Sequence, residues 1–248
     1  MEAYYRAFNA RDEAAYLACF RPDGAVGGTL TGAPIPGVGV QKAILRTASG
    51  GMGDLTMGGL ALYQAQDEVA VAWSGEVRAW GGGRTPVNGI SLFAFDEEAR
   101  IRLCRVYWNP RPLTGTGPDD ASCVDAAHRE AIHRYYLAFN ARDWIAIGKL
   151  FAEEGSFGGT LAGPGLRGEA TLKGVYEAAV TRFPGILMRP GQAYQAQDEV
   201  AVHWEGEAGS WDGRRLPIRG IALFRFDGEG RILRYRIYWD PRELLPEA

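Results

Sequence analysis

The chain has 248 residues, of which 46% are hydrophobic and 23% charged, a composition typical of globular proteins with one large or two small cores. Its formal net charge of -3 provides no basic surface that could neutralise phosphates, so we expect no nucleic acid partner. No apolar stretch reaches the ~20 residues that a membrane-spanning helix requires, so we expect no membrane partner either.

An internal repeat runs through the whole chain, with Tyr4 matched by Tyr135, 131 residues later. Segment 64–71 returns letter for letter at 195–202 with the same offset. The stretch between the copies is rich in Pro, Gly, Thr and Asp, which is typical of an exposed linker. The repeat predicts two domains of one kind and a linker between them, with the bounds 1–113, 123–248 and, for the linker, 114–122.

Each copy opens with two short helices separated by Asp12 or Asp143, which we predict to be the N-cap of the second helix. A Gly-rich segment follows, and then a third helix, at about 169–181 in the second copy. Three segments near the end of that copy alternate apolar and polar residues, as strands do: 199–208, 216–226 and 231–240. Helices followed by a strand meander predict an α+β fold, with the helices on the concave side of a twisted antiparallel sheet.

The motifs of each copy are similar to those of a known superfamily. The Phe-Asn-Ala-Arg-Asp motif after the first helix and the stretch from Gly213 to Glu243 resemble the SnoaL-like branch of the nuclear transport factor 2-like superfamily. The second stretch looks like the end of limonene-type epoxide hydrolases and polyketide cyclases. This resemblance implies two tandem cone-shaped domains, each a curved antiparallel sheet wrapped around helices and enclosing an apolar pocket.

The fusion of two copies resembles the tandem epoxide hydrolases of polyether biosynthesis. That resemblance implies that the copies pack through the convex faces of their sheets as an intramolecular pseudo-dimer. Further association into a homodimer is left open. Superfamily members include cyclases, isomerases, epoxide hydrolases, dehydratases and ligand binders, so the fold does not determine the reaction.

Transfer of the epoxide hydrolase residues onto the second copy gives partial agreement. The Arg-x-Asp pair of those enzymes falls on His203 and Glu205, which can both titrate. The acid of their last strand falls on Ile237, and their Tyr and Asn fall on Phe157 and Gly159. Three of the five positions are therefore lost, and a direct copy of that mechanism is not expected.

Alternation along 199–208 predicts that His203, Glu205 and Glu207 share one face of a strand. The resemblance implies that this face lines the pocket. We then predict His203 as general base or acid, Glu205 as the group that orients it or relays its proton, and Glu207 as a substrate contact. The alternative is a polar pair on a solvated face of the sheet. The first copy lacks the His and the first Glu, so the second pocket is the candidate for catalysis.

Two further carboxylates are candidates. Glu76 matches Glu207. Each is predicted either to contact the substrate or to form a salt bridge, Glu76 with Arg105 and Glu207 with Arg236. Asp240 is a backup acid, although its Trp-Asp-Pro context favours a role in a turn.

Aromatic residues, most of them present in both copies, predict a pocket wall that suits a polyketide or terpenoid skeleton. Core packing would explain the same residues. The predicted substrate-binding aromatics are Trp80, Trp211, Phe224, Tyr235 and Trp239.

We expect no metal and no cofactor. The three cysteines lack C-x-x-C spacing, which argues against a zinc site and a disulfide framework and favours a cytoplasmic location. The paired glycines at 27–28 and 158–159 lack the context of a nucleotide-binding loop.

The predicted function is that of a cofactor-independent acid/base enzyme of the cyclase, isomerase, epoxide hydrolase or dehydratase type. Its substrate would be an apolar small molecule of polyketide or terpenoid type from secondary metabolism. The alternatives are a non-catalytic carrier that binds such a molecule and a structural scaffold with filled pockets.

Overall fold

The computed structural model of the protein describes residues 1–51, 54–78, 82–111 and 123–245. The chain divides into two units, Met1–Leu62 with Asp67–Cys123, and Val124–Ala248 with Tyr63–Gln66. We call them the first unit and the second unit. The predicted linker at 114–122 lies outside the described residues, so the domain boundaries and the pseudo-dimer stay predictions.

Within the described residues, the first unit contains three helices and one six-stranded sheet with the strand order β2-β1-β6-β5-β4-β3. A π-helical turn, Thr47–Gly51, extends the third helix. The helices are α1 (Glu2–Ala10), α2 (Glu13–Ala18) and α3 (Val38–Arg46). The strands are β1 (Phe20–Gly28), β2 (Gly32–Pro36), β3 (Thr56–Ala65), β4 (Glu68–Arg78), β5 (Arg84–Phe95) and β6 (Ile101–Trp108).

The second unit repeats this plan with the strand order β8-β7-β12-β11-β10-β9. It ends in a short 3-10 helix, Arg242–Leu244. The helices are α4 (Ala126–Ala141), α5 (Trp144–Gly148) and α6 (Glu169–Arg182). The strands are β7 (Phe151–Gly159), β8 (Gly163–Arg167), β9 (Leu187–Ala196), β10 (Glu199–Gly209), β11 (Arg215–Phe226) and β12 (Ile232–Trp239).

The predicted α+β plan, with an antiparallel meander after the helices, is confirmed in both units. The outer strands β3 and β9, which extend the meander, were not predicted from the sequence. The parallel pairing of β1 with β6, and of β7 with β12, was not predicted either. Each sheet is therefore mixed rather than purely antiparallel. Among the described residues, no helix combines the length and the apolar character that crossing a membrane demands.

The asparagine of the repeated motif joins the first long helix of each unit to the sheet. The amide Nδ2 of Asn140 donates to the carbonyl of Met188 at 2.8 Å, and the amide N–H of Met188 donates back to Asn140 Oδ1 at 2.9 Å. Asn9 makes the same pair of bonds with Met57, at 2.7 and 3.0 Å. The asparagine therefore satisfies both backbone groups of one strand residue, which is a structural role.

The aspartate of the motif caps the helix that follows. Asp12 accepts a hydrogen bond from the N–H of Ala15 at 3.0 Å, and Asp143 accepts one from Ala146 at 2.9 Å. Arg142, just before the cap, has a φ of 61° and ends α4 in the left-handed conformation. Both predicted N-caps are confirmed.

A glycine in the sheet makes room for a tryptophan ring. A Cβ atom placed on Gly220 of β11 would lie 2.6 Å from Cζ2 of Trp204 on the neighbouring strand β10. Gly89 and Trp73 form the corresponding pair in the first unit. The absent side chain leaves room for each indole beside the neighbouring strand.

Candidate functional site

The second unit contains a cavity of about 430 Å³ between its helices and its sheet. Residues of α4, α6, β7, β10 and β12 line it, together with Leu161 and Ala162 from the turn between β7 and β8. The aromatic part of the wall consists of Tyr135, Phe139, Phe157, Tyr176, Phe183, Trp204, Tyr235 and Trp239. The fold therefore supplies a largely apolar cup of the size that ligand pockets have.

Three tyrosines from three elements meet in this wall. The hydroxyls of Tyr135 on α4 and Tyr176 on α6 lie 3.2 Å apart and share a hydrogen bond. The ring of Tyr235 on β12 packs against Tyr135, with 4.7 Å between the ring centroids. Burial raises the pKa of all three phenols above the ordinary value of 10. They therefore stay protonated at neutral pH and act as neutral hydrogen-bond donors.

Trp204 also lines the cavity, and its indole N–H lacks a hydrogen-bond partner among the described residues. In the first unit the matching Trp73 donates from Nε1 to the hydroxyl of Ser91 at 3.0 Å. Position 222, which matches Ser91, is an alanine that cannot accept a hydrogen bond. The indole N–H donor is therefore satisfied by Ser91 in the first unit. It is unsatisfied among the described residues of the second unit, where Ala222 takes the place of the serine.

Charge is confined to the rim of the cavity. Arg182, exposed in the last turn of α6, is the only charged residue among the described residues that line it. None of those lining residues is an aspartate, a glutamate or a histidine. The cavity therefore offers neutral hydrogen-bond donors and one cation, but no side chain that is a conventional general base.

The first unit encloses only about 40 Å³ at the corresponding place. Tyr4, Phe8 and Trp73 occupy the same positions in its wall as Tyr135, Phe139 and Trp204 do in the second unit. Three lining residues of the second unit are replaced: Tyr176 by Leu45, Arg182 by Gly51 and Tyr235 by Cys104. The space in the first unit is too small for anything beyond a solvent-sized molecule.

The strand β10 turns its predicted polar face away from this cavity. Trp204 lines the cavity, whereas His203 and Glu205, its neighbours in sequence, do not. Successive side chains of a strand point to opposite faces, so both lie on the other face of the sheet. Glu205 is exposed and His203 half-buried. The expectation that this pair faces the pocket is therefore wrong, and the alternative of a pair on the solvated face describes its placement.

Glu207 and Glu76 both form ion pairs at the surface. Glu207 Oε1 lies 2.6 Å from Arg215 Nη2, and Glu76 Oε2 lies 3.1 Å from Arg84 Nη1. Glu207 does not line the interior cavity of the second unit described above, and Glu76 does not line the corresponding space in the first. The salt-bridge alternative therefore applies, with these arginines as partners where the sequence suggested Arg236 and Arg105.

The remaining predicted site residues separate into four groups. Tyr235 and Trp239 line the cavity. Phe224, which is fully buried, and Trp211, which is 62% exposed in a turn, do not line it. Asp240 accepts a hydrogen bond from the N–H of Arg242 at 3.0 Å, the turn role considered for it. Trp80 lies outside the described residues.

Four cavity residues were not predicted from the sequence: Tyr135, Tyr176, Arg182 and Trp204. Tyr135 and Trp204 recur in the first copy and were available as signals, since both belong to the repeat. Tyr176 and Arg182 differ between the copies, and that difference was the available signal that the two interiors differ. The described residues contain no group of three or more His, Cys, Asp or Glu side chains arranged to hold a metal ion.

A family model described as "SnoaL-like domain" matches residues 1–103 and again residues 132–235. No curated protein sequence matches the chain significantly.

Solved structures similar to the chain each match about half of it. The structure of TerC co-crystallised with polyporic acid is 20% identical, with a TM-score of 0.45, and the match covers 48% of this chain and 98% of that one. A protein with a ketosteroid isomerase-like fold from Catenulispora acidiphila, in complex with trimethylamine, is 20% identical, with a TM-score of 0.43 and coverages of 47% and 94%. A putative polyketide cyclase from Xanthomonas campestris pv. campestris is 19% identical, with a TM-score of 0.40 and coverages of 45% and 88%.

Proposed function

Because the chain belongs to the SnoaL-like domain family and holds two such domains of nuclear transport factor 2-like fold in tandem, we propose that its second unit binds one apolar small molecule. The ligand class is that of a polyketide or terpenoid skeleton. The observation that carries this proposal is the cavity of about 430 Å³ in the second unit.

The size of the two cavities supports one ligand per chain. Pockets for small molecules have volumes of roughly 300–1,000 Å³. The interior cavity of the second unit falls within this range at about 430 Å³, and the corresponding space in the first unit, at about 40 Å³, does not. We therefore expect a stoichiometry of one.

The chemistry of the wall supports a flat or polycyclic ligand that carries oxygen. Aromatic rings from α4, β7, β10 and β12 offer faces and edges for stacking on such a skeleton. The phenols of Tyr135 and Tyr176 are neutral donors in the same wall, suited to a ketone or quinone oxygen.

A titration with the fluorescent neutral probe 9-anthracenemethanol, followed by the anisotropy of its emission, tests this proposal. Ala179 lines the cavity from α6, and Ala179→Trp should fill part of it and weaken binding at least about tenfold. Ala170→Trp changes an exposed residue of the same helix outside the cavity and serves as the matched control. Equal binding by both variants, or two probes bound per wild-type chain, would contradict the proposal.

A cofactor-independent isomerase or cyclase is the second candidate function. The observation that favours it is the group of protonated tyrosines in the cavity wall. A phenol that donates to a substrate carbonyl favours attack on the carbonyl carbon by an enol group of the same molecule, and the enol proton then passes to the new alkoxide, so the cyclisation balances within the substrate. Because no lining residue is a carboxylate or an imidazole, this version relies on polarisation by Tyr135, Tyr176 and Tyr235 rather than on His203.

Mass spectrometry of an apolar extract from the source organism separates the two functions. The extract is incubated with wild-type protein, Tyr176→Phe or the control His203→Ala. A compound converted at constant mass by wild type and His203→Ala, but not by Tyr176→Phe, would support the enzyme. A compound retained unchanged by all three would support a carrier, and conversion lost only in His203→Ala would return the role to that histidine.

A further inference from the structure

We propose that the ligand of the second unit carries one anionic oxygen group of the carboxylate class, and that Arg182 binds this group at the rim of the cavity. The proposal rests on the proposed binding function and adds the chemical class of the ligand to it. It rests on two observations: the interior of the cavity disfavours a charged group, and an arginine lies at its opening.

The interior of the cavity excludes charge. Its wall consists of aliphatic and aromatic side chains, with protonated phenols as the main polar groups. The raised pKa values of Tyr135 and Tyr176, caused chiefly by burial, show that this environment disfavours an anion. A charged group inside, without a cation beside it, would cost several kcal/mol or more. Any charge on the ligand must therefore remain at the opening.

Among the described residues that line the cavity, one is a cation, Arg182, and it is exposed. Its guanidinium group has no hydrogen-bond or ion-pair partner among the described residues. By contrast, Arg46, in the last turn of the corresponding helix α3, lies 3.4 Å from Glu13. The guanidinium group fits a carboxylate through two parallel hydrogen bonds. A matching cation is absent from the closed first unit, where Gly51 takes this position.

A structural role competes with this assignment, because an arginine in the last turn of a helix also interacts favourably with the helix dipole. That role predicts lower stability without Arg182 and no change in ligand preference. A measurement of preference between two probes of one shape therefore separates the two roles.

The test compares 9-anthracenecarboxylate with 9-anthracenemethanol at pH 7.5 and low salt. Wild-type protein should bind the acid about fivefold more tightly than the alcohol, and added salt should reduce this preference. Arg182→Gln should abolish the preference, so that the ratio of the two affinities falls to about one whatever the affinity for the alcohol becomes. Arg189→Gln removes an exposed arginine of β9 that does not line the cavity, and it should keep the preference.

The two probes also separate failure of this inference from failure of the binding function. If the alcohol and the acid bind equally, or if Arg182→Gln keeps the preference for the acid, the inference is overturned and the cavity remains a neutral binding site. If neither probe binds to wild-type protein, the binding function and the inference both fall.

Discussion

The indole Nε1 of Trp73 donates a hydrogen bond to the hydroxyl of Ser91, 3.0 Å away, and this bond has no counterpart in the second unit. There the donor is Trp204 and the facing residue is Ala222. Both tryptophans are almost completely buried. The two copies thus provide a natural comparison between a satisfied and an unsatisfied buried donor.

Ala222→Ser should stabilise the second unit by about 1 kcal/mol, because the new hydroxyl accepts the hydrogen bond of Trp204. Ser91→Ala should destabilise the first unit by about 1–3 kcal/mol, because it leaves the donor of Trp73 unsatisfied. Urea unfolding followed by tryptophan fluorescence measures both changes. Shifts of the same sign in the two variants would show that the serine acts in some other way.

Gly220→Ala should destabilise the protein by about 3 kcal/mol, because its methyl group would collide with the ring of Trp204. The control is Gly174→Ala in α6, where an added Cβ meets nothing within 4 Å and alanine favours the helix by about 0.8–1.0 kcal/mol. Thermal unfolding should therefore move in opposite directions for the two variants. A melting temperature unchanged by Gly220→Ala would contradict the close packing described here.

Asn140→Ala should cost about 2 kcal/mol of stability, because both backbone groups of Met188 lose their hydrogen-bond partner. Asn9→Ala should have a similar effect through Met57. Denaturant unfolding of the two variants provides the measurement. A stable Asn140→Ala protein that has lost probe binding would instead assign the asparagine to the binding site.

The stability of the protein should fall as the pH drops below about 6.5. Burial lowers the pKa of His203 from its ordinary value of 6.5, with Arg219 adding to the effect and Glu205 opposing it. Between the two pKa values the unfolded chain binds more protons than the folded one, so acid favours unfolding. The melting temperature of His203→Gln should therefore decrease less between pH 7.5 and 5.5 than that of wild type.

His133→Gln, which removes an exposed histidine of α4, is the control for this titration. It should follow the wild-type pH dependence. If His203→Gln also follows wild type, burial does not change the affinity of that imidazole for a proton.

The local features of the fold could be predicted because they depend on short-range patterns. The caps at Asp12 and Asp143 follow from the residue type that precedes each helix, and the strands β10 to β12 follow from alternation. Alternation alone assigns residues to two faces without saying which face is buried. On β10 the bulky apolar face with Val200, Val202 and Trp204 is fully buried and Trp204 lines the cavity, as the hydrophobic effect dictates, whereas the resemblance had placed His203 inside.

The resemblance implied an apolar pocket in each copy, but the volume of each pocket could not be predicted from the sequence. The volume in the second unit depends on how side chains from α4, α6 and β12 meet, and these are distant along the chain. Replacement of Tyr176 by Leu45, or of Tyr235 by Cys104, does not by itself reveal which copy is hollow. The difference in cavity volume between the two units depends on how their side chains pack in three dimensions, which is the sum of many contacts.

The closed interior of the first unit also limits how the chain can respond to changes in ligand concentration. Homotropic cooperativity requires at least two like sites whose affinities depend on each other. Of the two matching interiors that the described residues enclose, the second unit's, at about 430 Å³, can hold a small-molecule ligand and the first unit's, at about 40 Å³, cannot, so they provide one interior site. The saturation curve of the chain should therefore be hyperbolic with a Hill coefficient of about one. Duplication of the domain thus adds a second folded unit without adding cooperative binding.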